Sequence, residues 1–92
     1  MAEGEASVAE IRKWARPISF VSPLTGDYRT IESASDAIAV LRGAGWPVQA
    51  GKQLREARKI CVEVIDGKRP PAEARRAFIA AAVEAHVFVK EK

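Results

Sequence analysis

The sequence predicts a single α+β domain in which three helices pack on a small antiparallel sheet, in the order ββαααβ. Three observations lead to this fold class. Two short runs of β-branched and aromatic residues flank a turn-rich segment. Three longer segments carry apolar residues at helical spacing. A closing run, Val87–Val89, is again β-branched and aromatic, and 92 residues leave room for one such domain.

The chain opens with residues 1–13, which are mostly small or acidic, so we expect a flexible tail followed by a domain over residues 14–92. Apolar residues within 8–15 fall at helical spacing, and a short helix there is the alternative. Pro17–Val21 and Tyr28–Ile31 are expected to pair as a hairpin. Ser22–Asp27 between them contains Pro, Gly and Asp, which are typical turn residues.

The helices have recognisable starts and stops. Ser33 is expected to cap the first helix, which Gly43 and Gly45 end by taking left-handed conformations. The second helix runs from about Gly51 to Ile65, before Asp66-Gly67. The third begins after Pro70-Pro71, since proline fits the first turn, and continues to about His86.

The third helix is unusually apolar, since Glu73, Ala80 and Glu84 leave only a narrow polar side. Its apolar arc covers roughly two-thirds of the circumference, against the ≳100° stripe of an ordinary surface helix. Two interpretations remain open. The helix is central and packs on both the sheet and the second helix, or Ile79 and Val83 form a homodimer interface.

No catalytic, cofactor or metal site is expected. Cys61 lies mid-helix on the apolar face, which is typical of a buried structural thiol. His86 is the only histidine, and a Cys–His pair would still need an orienting group and an oxyanion site. One cysteine and one histidine cannot form a structural zinc site. An enzyme that uses Cys61 or His86 therefore ranks third among three functional hypotheses, after an interaction module and a nucleic-acid-associated protein.

Basic residues raise the question of anion binding. Gly45 and Gly51-Lys52 fail as a phosphate loop, because five residues separate the glycines and Gln53 follows the lysine. A weak anion site at the start of the second helix stays open. The candidate contacts to an anion or nucleic acid are Lys52, Arg55, Lys59 and Arg76. The other interpretation is a solvated mixed face, since glutamates interrupt the basic residues.

An ordered series of anchors resembles a known family. The anchors are Trp14-x-x-Pro17-Ile18, Arg29-Thr30-Ile31, Ala37, Leu41, Trp46-Pro47, Gly51, Ala57, Cys61, Gly67 and Ala74-Arg75-x-x-Phe78-x-x-Ala81-Ala82-x-Glu84-Ala85. In this order they resemble the small bacterial proteins of the domain of unknown function 982 family. The resemblance implies a compact one-domain fold in the bacterial cytoplasm and no assigned activity. It also implies a glycine just after the last helix, where this chain has His86.

The first functional hypothesis is a small non-enzymatic protein-interaction or regulatory module, with an unknown partner protein or a second copy as its partner. The alternative is a weak nucleic-acid-associated protein that uses the basic residues of the second and third helices. Net charge is only +3, and a dedicated nucleic-acid binder usually concentrates more charge. No stretch approaches the ~20 apolar residues of a membrane span, and the first ten residues lack the apolar core of a secretory signal. We therefore expect a cytoplasmic protein without a membrane partner.

Overall fold

The computed structural model describes residues 13–22, 25–43, 45–48 and 50–91. The elements are β1 (Ile18–Val21), β2 (Tyr28–Ile31), α1 (Ala34–Arg42), α2 (Lys52–Ile65), α3 (Pro71–Glu84) and β3 (Val89–Glu91). This confirms the α+β class and the order ββαααβ. Apart from Lys13, the predicted tail lies outside the described residues, and so does most of the helix considered over residues 8–15.

The three strands form one antiparallel sheet in the order β2-β1-β3. On the central strand, Phe20 lies opposite Arg29 of β2 and opposite Val89 of β3. The predicted third strand, Val87–Val89, is shifted to Val89–Glu91. Val87 is buried, and its N–H still donates to the Ala82 carbonyl of α3 at 2.8 Å, so the strand starts only after it.

The first helix starts as expected and ends differently. The Ser33 hydroxyl accepts a hydrogen bond from the Asp36 N–H at 3.3 Å, which is the predicted cap. Gly43 is not left-handed, since its φ is −74° and its backbone is extended. The Arg58 guanidinium instead donates to the Leu41 carbonyl at 2.9 Å and satisfies a carbonyl of the last turn.

The third helix ends at Glu84, two residues before the predicted end. His86 follows with φ +59°, the left-handed conformation that glycine adopts without strain. This is the position at which the family resemblance implies a glycine. Histidine is among the residues enriched in this conformation. The His86 side chain is exposed and does not belong to the core.

The core is centred on an aromatic cluster around Phe78 of α3. The Phe78 ring centroid lies 6.4 Å from that of Trp14, 6.0 Å from Phe20 and 5.6 Å from Trp46. Fully buried Ala74, Ala81 and Ala82 leave room for close packing around the same helix. These contacts agree with the interpretation of α3 as a central helix between the sheet and α2.

The polar side of α3 faces other protein groups instead of open solvent. Arg69, in the connection between α2 and α3, forms ion pairs with Glu63 of α2 and Glu73 of α3. Its hydrogen bond and charge lower the pKa of Glu63. On the other flank of α3, Arg75 donates to Glu91 of β3 at 2.8 Å and so connects the helix to the sheet edge.

Candidate functional site

A cleft of about 440 Å³ lies between β2 and α1, within the size range of ligand sites in proteins. Its lining residues come from both strands of the hairpin, from α1 and from the connection that follows α1. They are Phe20, Ser22, Arg29, Thr30, Ile31, Asp36, Ala39, Val40, Gly43, Gly45 and Trp46. The aromatic floor of the cleft belongs to the core cluster, because the Phe20 and Trp46 rings are 6.3 Å apart. The floor of the cleft is therefore part of the buried core.

The free edge of β2 borders this cleft. In an antiparallel ladder, the backbone N–H and C=O of successive residues point alternately towards one neighbouring strand and the other. The Val21 N–H donates to the Phe88 carbonyl on the β3 side at 3.1 Å. Tyr28, opposite Val21, and Thr30, two residues on, therefore point their backbone groups away from β1. Within the described ranges, no strand pairs with this edge.

Arg29 is the only cation that lines the cleft among the described residues. Its guanidinium lies 5.9 Å from the centroid of the Phe20 ring, a cation–π distance that holds the charge on the core side of the sheet. The arginine is exposed, and no described carboxylate lies within 4.0 Å of it. Its hydrogen-bond donors are therefore available to a ligand.

Asp36 is the acidic residue of the cleft, and its carboxylate is already engaged. It accepts a hydrogen bond from the Glu32 N–H at 3.1 Å, just after β2 ends. At the same end of the strand, the Glu32 carbonyl accepts from the Trp14 N–H. The free edge of β2 is thus limited to Tyr28 and Thr30, with Arg29 between them.

The outer face of the sheet, away from the helices, carries an apolar row. By register, Tyr28, Val21 and Phe88 lie side by side across β2, β1 and the start of β3. Tyr28 and Phe88 are each 60% exposed, whereas the other four aromatic residues are buried. This row is not predictable from the sequence alone, because it depends on which strands are neighbours.

The start of α2 is capped by a residue of α3. The Glu84 carboxylate accepts hydrogen bonds from the N–H of Gln53 at 3.0 Å and of Leu54 at 3.1 Å. Among the described residues, Glu84 is the side chain that caps this helix, whose N-cap is Gly51. An internal carboxylate therefore occupies the position that the sequence analysis gave to an external anion.

Residues 16–89 match a protein family described as "Protein of unknown function (DUF982)". The chain belongs to this family. No curated protein and no solved structure matches this chain. The membership accords with the anchors identified in the sequence, and those anchors include Arg29 and Trp46 of the cleft and Gly51 and Glu84 of the helix cap. Among the described residues of this DUF982 domain, no helix is long and apolar enough to span a bilayer.

The four basic residues singled out in the sequence lie on two helices, three on α2 and one on α3. All four of them, Lys52, Arg55, Lys59 and Arg76, are exposed. Arg76 of α3 borders a groove between α2 and α3, together with Gln53, Glu56, Ile60, Glu73 and Ala77. By helical spacing, Lys52 and Lys59 lie four residues before and three residues after Glu56, whereas Arg55 is turned about 100° away from it. Nucleic-acid binding through these residues remains a prediction, and two glutamates share the groove with Arg76.

The two residues proposed for a dimer interface differ in exposure. Val83 is 66% exposed, whereas Ile79 is half-buried and packs against the core. They lie one turn apart on α3. A dimer through Ile79 and Val83 remains a prediction, with Val83 as its most accessible apolar residue.

Cys61 is fully buried, and burial raises the pKa of its thiol to about 11. We expect no reaction with a thiol reagent at pH 8 in the native protein, and rapid reaction after unfolding. Because the unfolded thiol ionises near pH 9 and the folded one near 11, stability should fall as pH rises through this interval. Cys61→Ala should remove this fall in stability with pH. Rapid reaction of Cys61 with the thiol reagent in the native protein would contradict its assignment as a buried thiol.

The remaining candidates for chemistry are separate from the cleft. His86 is exposed at the end of α3 and does not line the cleft. Among the described residues, no group of three or more His, Cys, Asp or Glu side chains is placed to hold a metal ion. The cleft itself offers one guanidinium, the Asp36 carboxylate, two hydroxyl side chains and a free strand edge. This arrangement is suited to binding.

Proposed function

We propose that this DUF982 domain is a non-enzymatic protein-interaction module that binds an extended segment of a partner protein as a fourth strand beside β2. The single observation behind this proposal is that the free edge of β2 and the cleft beside α1 share Thr30 in their boundary. Strand addition at an exposed edge derives affinity from main-chain hydrogen bonds and specificity from pockets for alternate side chains. In line with the sequence and the family resemblance, we place this module in the bacterial cytoplasm.

The backbone groups needed for strand addition are available. The N–H and C=O groups of Tyr28 and Thr30 point outward and can bond an added strand. Side chains of that strand would alternate between the two faces of the sheet. Those on the outer face would contact the exposed Tyr28 ring, and those on the inner face would enter the cleft beside Val40.

The thiol of Cys61 supports a binding role over a catalytic one. With a pKa near 11, it is protonated at neutral pH, and it is buried away from the cleft. A thiolate nucleophile requires the opposite conditions, a lowered pKa and partial exposure.

The test is a titration of the full chain, labelled with ¹⁵N, with a blocked seven-residue peptide of alternating valine and threonine. We expect amide shifts concentrated on Tyr28–Ile31 and on the facing side of α1. Thr30→Pro should abolish binding, because proline removes an outward N–H while the ladder to β1 keeps its bonds.

The control is Glu91→Pro, which removes an outward N–H from the other edge strand, β3, together with the Arg75–Glu91 ion pair. It should bind the peptide like the wild type, provided that circular dichroism shows both variants folded. Absence of shifts, or equal binding by Thr30→Pro and wild type, would overturn the proposal. So would sedimentation data showing a wild-type dimer that Thr30→Pro converts to a monomer, because β2 would then pair with a second copy of the chain.

A further inference from the structure

We infer that the bound segment carries an acidic side chain that pairs with Arg29. The inference rests on the proposed function and specifies the partner's chemistry. The Arg29 guanidinium lies over the Phe20 ring and has no described carboxylate within 4.0 Å. When a ring covers one face of a planar guanidinium, the N–H groups along the edge of the guanidinium remain accessible. These edge N–H groups can bind a carboxylate with two hydrogen bonds.

The register fixes where the acidic residue must lie. Tyr28 and Thr30 direct their backbone bonds outward, so Arg29 between them occupies a non-hydrogen-bonded position relative to a strand added antiparallel to β2. At such positions, opposed side chains share a face of the sheet and their Cβ atoms approach to about 4.5–5.5 Å. A glutamate directly opposite Arg29 would therefore reach the guanidinium on the core side, at the mouth of the cleft.

The Asp36 carboxylate is the second charged group in the cleft, and it restricts which type of residue can lie opposite Ile31. Asp36 and Arg29 are the only charged side chains that line the cleft among the described residues. Asp36 is held at the opposite end, beside Ile31, by the Glu32 N–H. An acidic residue opposite Ile31 would meet this like charge, whereas an apolar residue there would face Ala39 and Val40. The expected ligand thus has an acidic and an apolar residue two positions apart.

The carboxylate is assigned to a side chain and not to the end of a chain. Free backbone groups flank Arg29 on both sides, at Tyr28 and at Thr30. A strand that uses both must continue past the position opposite Arg29, and a terminal carboxylate at that position would forgo one of these pairs.

The test compares two blocked, fluorescent seven-residue peptides that differ only in glutamate or glutamine at the central position. With the wild-type chain at low salt, we expect the glutamate peptide to bind about 5- to 10-fold more tightly, an advantage that shrinks as salt rises. Arg29→Gln should reduce the ratio to about one, and Arg29→Lys should retain part of it. The Arg29→Glu variant should bind a lysine-centred peptide more tightly than the glutamate peptide. Such a reversed preference requires a folded domain, so it distinguishes a change of specificity from a loss of folding.

The outcomes separate the two proposals. Equal binding of both peptides by the wild type, with both abolished by Thr30→Pro, would overturn the role of Arg29 and leave strand addition intact. Absence of binding by either peptide would overturn strand addition and, with it, the role of Arg29. Tight binding only by a peptide whose free C-terminus lies opposite Arg29 would overturn the assignment to a side chain.

Discussion

Replacement of Gly51 by alanine is expected to lower the free energy of unfolding by about 3 kcal/mol, which corresponds to a fall in Tm of roughly 12–24 °C for a domain of this size. Two costs combine. The backbone of Gly51 has φ +150°, which side-chain-bearing residues rarely adopt, and an added Cβ would lie 2.4 Å from a Glu84 carboxylate oxygen. The carboxylate would have to move, and α2 would lose its cap.

The control for this substitution is Gly26→Ala. Gly26 also has a left-handed backbone, with φ +79°, but nothing lies within 4 Å of the added Cβ. Chemical denaturation gives the free energy of unfolding of both variants. The loss in Gly26→Ala measures a backbone cost of about 1 kcal/mol, and the additional loss in Gly51→Ala includes the loss of the cap. Equal losses in the two variants would show that the Glu84 contact contributes nothing to stability.

Truncation of Phe78 to alanine is expected to cost about 3–5 kcal/mol, a large part of the stability of a small domain. Phe78 is fully buried, and its ring contacts those of Trp14, Phe20 and Trp46. Its removal would leave a cavity beneath the floor of the cleft as well as between α3 and the sheet. The same variant should therefore also weaken peptide binding.

The comparison variant is Val83→Ala on the same helix, whose side chain is 66% exposed. It should change the free energy of unfolding by no more than about 0.5 kcal/mol. Urea denaturation followed by tryptophan fluorescence measures both. A Phe78→Ala variant within about 1 kcal/mol of Val83→Ala would contradict the central position of this ring.

Much of the fold follows from local pattern. Alternation and turn chemistry predicted the hairpin, and the Ser33 cap was visible because the donor and acceptor lie three residues apart. Gly67 at the end of α2 has φ +81°, as a helix-ending glycine should. Signals of this kind are complete within one short segment, so no knowledge of the tertiary arrangement is needed to recognise them.

The candidate site was not predicted, because each of its parts depends on distant residues. Arg29 becomes a ligand-facing cation only when β2 is an edge strand and α1 leaves a cleft beside it. Likewise, Glu84 and Gln53 are 31 residues apart in the chain, and helical spacing assigned Glu84 simply to a polar side. The glycine at position 51 was the available hint, since it precedes a helix that lacks its own capping side chain.

The cap that Glu84 provides has a consequence for the order in which the protein forms during synthesis. Residues 52–65 are added to the growing chain before residue 84, so at that stage the first turn of α2 lacks the carboxylate that will accept hydrogen bonds from Gln53 and Leu54. Short helices are marginal in water without such contacts. The nascent second helix therefore stays frayed at its start, and it becomes complete only when the third helix arrives beside it.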